Sequence, residues 1–197
     1  MRLEDARRDQ YRKLAREEGY KSRAAYKLLE SVRKYRLIER GDVVLDFGAA
    51  PGGWLQVAAE AAGDSGLVVG VDLEPVSLRL DNVLAIQADV KSPDLAVRLD
   101  RALPRKADVV LSDLAPQVMG TWDLDHFRQV ELTLAAVDLM GRFLRKGGKA
   151  MFKVFDGERF GEVRSLLSAR FEKVLVTKPK ASRRASAELY LVCLGLL

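Results

Sequence analysis

The segment Asp46-Phe47-Gly48-Ala49-Ala50-Pro51-Gly52-Gly53-Trp54 has the makings of a ligand-binding loop. Gly48, Gly52 and Gly53 remove side chains where backbone must approach a ligand, and a helix opening at Gly53 would offer it free N–H groups. Asp72 follows Gly52 by about 20 residues, the distance at which a Rossmann-type fold sets the acid that binds ribose hydroxyls. This combination points to a nucleoside. A dinucleotide fingerprint would need glycines at 48, 50 and 53; position 50 is Ala and Pro51 follows, so pyrophosphate binding is disfavoured. No Gly-Lys-Ser/Thr follows the glycines, which argues against a Walker A loop.

The elements that must position these residues are legible as a change of rhythm along the chain. Residues 3–18 and about 23–36 read as helices, the second opening on Ser22 as N-cap and carrying Ala25, Leu28, Leu29 and Val32 at helical spacing. After Gly41-Asp42, short β-branched runs alternate with longer helical stretches. The runs are Val43 to Phe47, Leu67 to Val71, Val83 to Gln87, Asp108 to Ser112, Lys149 to Phe155, Lys173 to Thr177 and Glu188 to Leu194, which predicts seven strands. Helices are expected at about 53–62, 93–103, 125–145 and 159–169, the third stopping on Gly147-Gly148.

Alternating strands and helices predict an α/β fold, Rossmann-like, with a mostly parallel sheet covered by helices on both faces. The loop Lys178 to Ala187 is too short for a crossover helix, so the last two strands should form an antiparallel hairpin. Ligands of open α/β sheets sit at the carboxyl ends of the strands. Asp46, Asp72, Asp89 and Asp113 all fall there, grouped around the Gly-rich loop.

The 197 residues, 48% of them hydrophobic, fit one domain spanning 1–197, with residues 1–40 a basic helical extension and 41–197 the Rossmann-like core. Cys193 is the only cysteine, so neither an internal disulfide nor a cysteine-rich zinc site can form; no metal is expected, and a reducing cytoplasm is the natural setting. The N-terminus lacks a signal-peptide core and no apolar run approaches the ~20 residues that cross a bilayer. Lys and Arg outnumber Asp and Glu by 33 to 28 and crowd into Arg7 to Arg23, Lys27 to Arg40 and Lys173 to Arg184. Such clusters suit a polyanion such as RNA, or form an ordinary solvated face.

The Asp46 to Trp54 loop, Ser112-Asp113-Leu114-Ala115-Pro116, Lys153-Val154-Phe155 and Lys21-Ser22-Arg23-Ala24-Ala25-Tyr26-Lys27-Leu28 together resemble the motifs of the FtsJ/RrmJ-type RNA ribose 2′-O-methyltransferases. The resemblance runs in the same order over essentially the whole chain, ending with Ala187-Glu188-Leu189-Tyr190. It implies S-adenosyl-L-methionine as methyl donor, S-adenosyl-L-homocysteine as product, and a catalytic tetrad at Lys27, Asp113, Lys153 and Glu188. It also implies cofactor binding by Gly52, Trp54, Asp72, Leu73, Asp89, Val90 and Asp113, with Gly48, Pro51 and Gly53 shaping the loop. Ala88 and Val90 flank Asp89, where a Gly and an aromatic would suit the family pattern.

The chemistry suits these residue types. A ribose 2′-hydroxyl is a poor nucleophile, whereas a sulfonium methyl is already a good electrophile, so the task is to align the two and manage one proton. A free lysine, with a pKa of about 10.4, is mostly protonated at neutral pH. Lys27 beside Lys153 disfavours a second charge; Asp113 and Glu188 favour it. A neutral Lys153 acting as base and a charged Lys153 orienting the hydroxyl are both open at this stage.

The expected substrate is a uridine of large-subunit ribosomal RNA, as RNA or assembled subunit, met by a monomer. A tRNA- or cap-directed methyltransferase, a non-catalytic RNA-binding assembly factor and a nicotinamide enzyme are the alternatives. His126 is expected in a first helical turn, Cys193 in the core, and Trp122 and Met119 are candidates to pack or to touch an unstacked base. The Lys178 to Arg184 loop is placed to hold phosphates.

Overall fold

A computed structural model describes residues 3–117, 119–183 and 186–197 of the chain. Seven strands form one sheet: β1 (Val43–Phe47), β2 (Leu67–Asp72), β3 (Val83–Gln87), β4 (Ala107–Ser112), β5 (Leu144–Phe155), β6 (Phe171–Thr177) and β7 (Glu188–Leu196). Their order is β3-β2-β1-β4-β5-β7-β6. The first five run parallel, and β7 inserts antiparallel to both β5 and β6. The α/β architecture, the strand count and the C-terminal hairpin are those the sequence predicts.

Strands buried on both faces need apolar residues at successive positions, and β1 and β4 have them: all of Val43–Phe47 and Ala107–Ser112 are buried. Alternate side chains serve two cores. Leu45, Phe47, Phe152 and Val154 pack with α4 (Leu95–Ala102), α5 (Trp122–Phe143) and α6 (Phe160–Ser168). Val44, Met151, Tyr190 and Val192 pack on the other face with α2 (Ala25–Tyr35) and α3 (Gly53–Ala62). Each fully buried Leu or Phe contributes roughly 1.5–3 kcal/mol. Because side chains alternate, β5 sends Lys153 to the α2–α3 face, and β7 sends Glu188 and Tyr190 there too. Helix α1 (Leu3–Glu17) precedes α2.

Two local expectations fail. Helix α2 does not open on Ser22: its N-cap is Ala24, without a side-chain cap, because residues 22–27 first make tight turns in which Ala25 N–H donates to Ser22 O and Lys27 N–H to Ala24 O. Ser22 instead packs on α3, where a β-carbon on Gly53 would lie 2.4 Å from its hydroxyl. Nor does α5 continue to Gly147-Gly148. It ends at Phe143, and Leu144 pairs with Ala107 as the first residue of β5. The glycines serve an irregularity within the strand, where the register moves from Ala107↔Leu144 to Val109↔Lys149 and Gly147 takes φ 71°.

Candidate functional site

Gly48 occupies the close-packed point of the loop after β1. Its φ is +83°, and a β-carbon would come within 2.9 Å of Leu114 N and 3.0 Å of Asp113 C, so any side chain would push the two loops apart. Asp72, ending β2, fixes this loop by accepting from Ala50 N–H at 2.9 Å and from Glu74 N–H at 2.9 Å. Two clefts meet at this loop. The smaller, about 220 Å³, is lined by Gly48, Asp72, Leu73, Asp89, Val90 and Asp113 among others. The larger, about 840 Å³, runs toward Lys27 and the basic residues Arg12, Arg16, Lys21 and Arg23. Gly48, Ala50 and Asp113 line both.

Of the loop residues expected near a cofactor, Pro51, Gly53 and Trp54 line the larger cleft, and Gly52 is buried at the N-cap of α3 beside Val76 and Leu78. Trp54 is buried; its indole N–H donates to Ala24 O at 2.9 Å, and its ring lies 6.0 Å from that of Tyr190. It ties the segment before α2 to the loop. Beneath the loop, Asp46 is fully buried with neither carboxylate oxygen hydrogen-bonded, and burial, then the nearby Asp113 and Asp72 charges, push its pKa well above the ordinary range.

Lys27 of α2, Asp113 just after β4, Lys153 of β5 and Glu188 of β7 form one charged cluster, of which Asp113 lines both clefts and Lys27 the larger. Lys153 Nζ donates to the Asp113 carbonyl at 2.5 Å, pairs with Asp113 Oδ1 at 3.1 Å and stands 4.0 Å from Glu188 Oε1. Lys27 Nζ pairs with Glu188 Oε2 at 2.9 Å. Both lysines are buried, at 5% and 3% exposure, which for a cation requires such partners. Burial alone would raise Asp113 and Glu188, but the two ammonium groups outweigh it and hold both carboxyls below their usual range.

Tyr190 completes the cluster and was not among the expected site residues. Its hydroxyl accepts from Lys27 Nζ at 3.0 Å and donates to Asp113 Oδ1 at 2.9 Å. Burial, then the Asp113 and Glu188 charges, push its pKa far up and keep it a phenol. The available signal was period two: Tyr190 follows Glu188 by two residues and so shares its face of β7. His126 belongs elsewhere. It is buried under Trp122, accepts from Arg159 N–H at 3.1 Å and packs on Gly157, a structural position. Trp122, half exposed, also stacks on Phe155 at 5.9 Å; Met119 is exposed, and Cys193 is in the core as expected. Arg184, counted with the basic loop, lies outside the described residues.

Fold and site together define a Rossmann-like methyltransferase. The FtsJ-like methyltransferase family model matches residues 20–196. The chain is 53% identical to the ribosomal RNA large subunit methyltransferase E of Cenarchaeum symbiosum, over 99% of this chain and 98% of that one. It is 44% identical to the protein of that name from Nitrosopumilus maritimus, over the full length of both. A crystal structure of a ribosomal RNA methyltransferase from Plasmodium falciparum superposes with a TM-score of 0.81 at 32% identity, covering 90% of this chain and 99% of that one. The chain belongs to the FtsJ-like methyltransferase family.

Proposed function

We propose that this protein transfers a methyl group from S-adenosyl-L-methionine to a ribose 2′-hydroxyl of large-subunit ribosomal RNA, on a uridine. The observation that carries the reading is the placement of Asp113: it lines both clefts and accepts from Lys153 and Tyr190, so a donor in one cleft and an acceptor in the other would meet at the charged cluster. The relatives' printed names support ribosomal RNA as acceptor.

The residues of the smaller cleft fit the donor. Asp72 and Asp89 spend each carboxylate oxygen on at most one backbone N–H, leaving lone pairs for ribose hydroxyls. Leu73 and Val90 supply apolar surface for an adenine. Pro51, Gly52, Gly53 and Trp54 shape the loop around it. When bound, S-adenosyl-L-methionine supplies a methyl group already activated by the sulfonium, and S-adenosyl-L-homocysteine is left.

The chain's own residues then align the nucleophile. Lys153 holds the 2′-oxygen beside Asp113, and Lys27, through Glu188 and Tyr190, fixes the positions of the carboxylates that hold Lys153. Arg12, Arg16 and Lys21 along the larger cleft, with Lys178, Lys180 and Arg183 of the loop before β7, bind phosphates without reading sequence. Among the described residues no helix is long and apolar enough to cross a membrane. We place the enzyme in the cytoplasm, acting as a monomer on ribosomal RNA or the large subunit.

Mapping 2′-O-methyl groups across total RNA, with and without the active protein, tests the reading. Loss at one large-subunit uridine is expected; loss only in tRNA or at RNA caps, or no loss, overturns it. Lys153→Arg separates the two lysine roles, because arginine stays protonated. Transfer retained by this variant assigns Lys153 the orienting role, and transfer lost with donor binding intact assigns it the proton.

A further inference from the structure

We infer that Gln129, a buried residue of α5 that lines neither cleft, is a positioning residue that fixes Lys153 by standing in for a missing strand; the inference rests on the role proposed above for Lys153. The ladder between β4 and β5 ends at Ser112↔Phe152, one residue before the lysine. From there β5 retains β7 on one side, with Lys153 opposite Tyr190, but has lost its strand on the other. Its edge is nevertheless satisfied. Gln129 Nε2 donates to Lys153 O at 2.8 Å, and Phe155 N–H donates to Gln129 Oε1 at 2.9 Å.

Those two bonds span Val154 as the N–H and C=O of one residue in a parallel neighbour would, so a side-chain amide continues the sheet where β4 has turned away to present Asp113. Thr133, one turn further along α5, holds the amide in place. Its hydroxyl accepts the second N–H of Gln129 at 2.9 Å and stands 3.1 Å from the Lys153 carbonyl oxygen. Gln129 and Thr133 are both fully buried.

This costs two polar side chains in a core otherwise lined by Val130, Ala136, Val137 and Met140, which packing alone does not require. What it secures is the main chain at Lys153, whose ammonium makes contacts of 2.5 and 3.1 Å to Asp113. A methyl-transfer geometry is sensitive to displacements of an ångström or less.

Gln129→Glu and Gln129→Leu test the inference in the full-length protein, with labelled donor and ribosomal RNA as substrates. A neutral Glu keeps both bonds, donating through its carboxylic O–H to Lys153 O and accepting from Phe155 N–H, whereas its ionised form has no donor. The ratio of kcat for Gln129→Glu to wild type should therefore fall as pH rises, by on the order of 100-fold at the basic end, with KM for donor and RNA within about twofold. Gln129→Leu should lose kcat to a similar extent at every pH, read alongside a thermal unfolding curve. Lys153→Ala serves as the control for the underlying role. If Lys153→Ala is inactive while the Gln129→Glu ratio stays flat with pH, the positioning role is overturned; if Lys153→Ala is fully active, the role of Lys153 itself has failed.

Discussion

The Lys153 ammonium and the Tyr190 hydroxyl end on the same oxygen, Asp113 Oδ1, at 3.1 and 2.9 Å. The register of the sheet causes this: Lys153 and Tyr190 sit directly opposite one another on β5 and β7, and their side chains leave the same face. Burial would raise the pKa of Asp113; the phenol adds to the larger effects of the two lysines that hold it below its usual value. Tyr190→Phe should lower kcat about tenfold, the value of one hydrogen bond to a charged group, and shift the acid-side loss of activity to higher pH. A pH-rate profile of the variant with an unshifted acid limb would show that the phenol does not tune Asp113.

Asp46 gives the opposite sign. Its folded-state pKa is raised, so the native protein binds a proton that the unfolded chain releases above the ordinary value of 3.8. Wild-type stability therefore falls as pH rises above that value, by up to about 1.4 kcal/mol per pH unit until the folded group ionises. Asp46→Asn cannot ionise and should escape this loss. Urea unfolding of the ligand-free proteins across pH 4–8 (roughly the window above that ordinary value) should show the variant gaining on wild type as pH rises. Parallel stability curves would mean that the carboxyl ionises without cost.

Lys27 and Glu188 form a pair whose side chains are 6% and 23% exposed. Removing one partner of a fully buried pair costs about 3–5 kcal/mol, and the partial exposure of Glu188 reduces that to about 1–3 kcal/mol here. Glu188→Gln and Lys27→Met should each be destabilised by that amount, whereas the double variant should be no less stable than either single one. Methyl transfer should be strongly reduced in all three. A double variant whose losses simply add would show that the two groups do not act as a pair.

The strands were readable because β-branched runs such as Val43 to Phe47 are buried on both faces and leave no other reading. The loop glycines and the strand-ending acids were readable for a similar reason, since backbone approach and carboxyl-end placement follow from local sequence. Tyr190 and Gln129 were not. Each matters only through a long-range match, Tyr190 through the β5–β7 register and Gln129 through the exact residue at which β4 stops, and neither quantity is written locally. The misplaced ends have the same origin. Ser22 has the chemistry of an N-cap and Gly147-Gly148 that of a helix stop, but packing on Gly53 claimed the first and pairing of Leu144 with Ala107 pre-empted the second.

Arg12 and Arg16 of α1 are exposed and line the larger cleft, as does Lys21. If this wall follows an RNA backbone, each cation that meets a phosphate releases condensed counterions. The dependence of log affinity on log salt then steepens by about 0.7–0.9 per contact. Arg12→Ala and Arg16→Ala should each reduce that slope by roughly this amount and weaken binding to unrelated RNA sequences equally. Filter binding over a salt series measures it directly. A slope unchanged in both variants would move the RNA path off α1 and onto the loop before β7, where Lys180 and Arg183 are exposed.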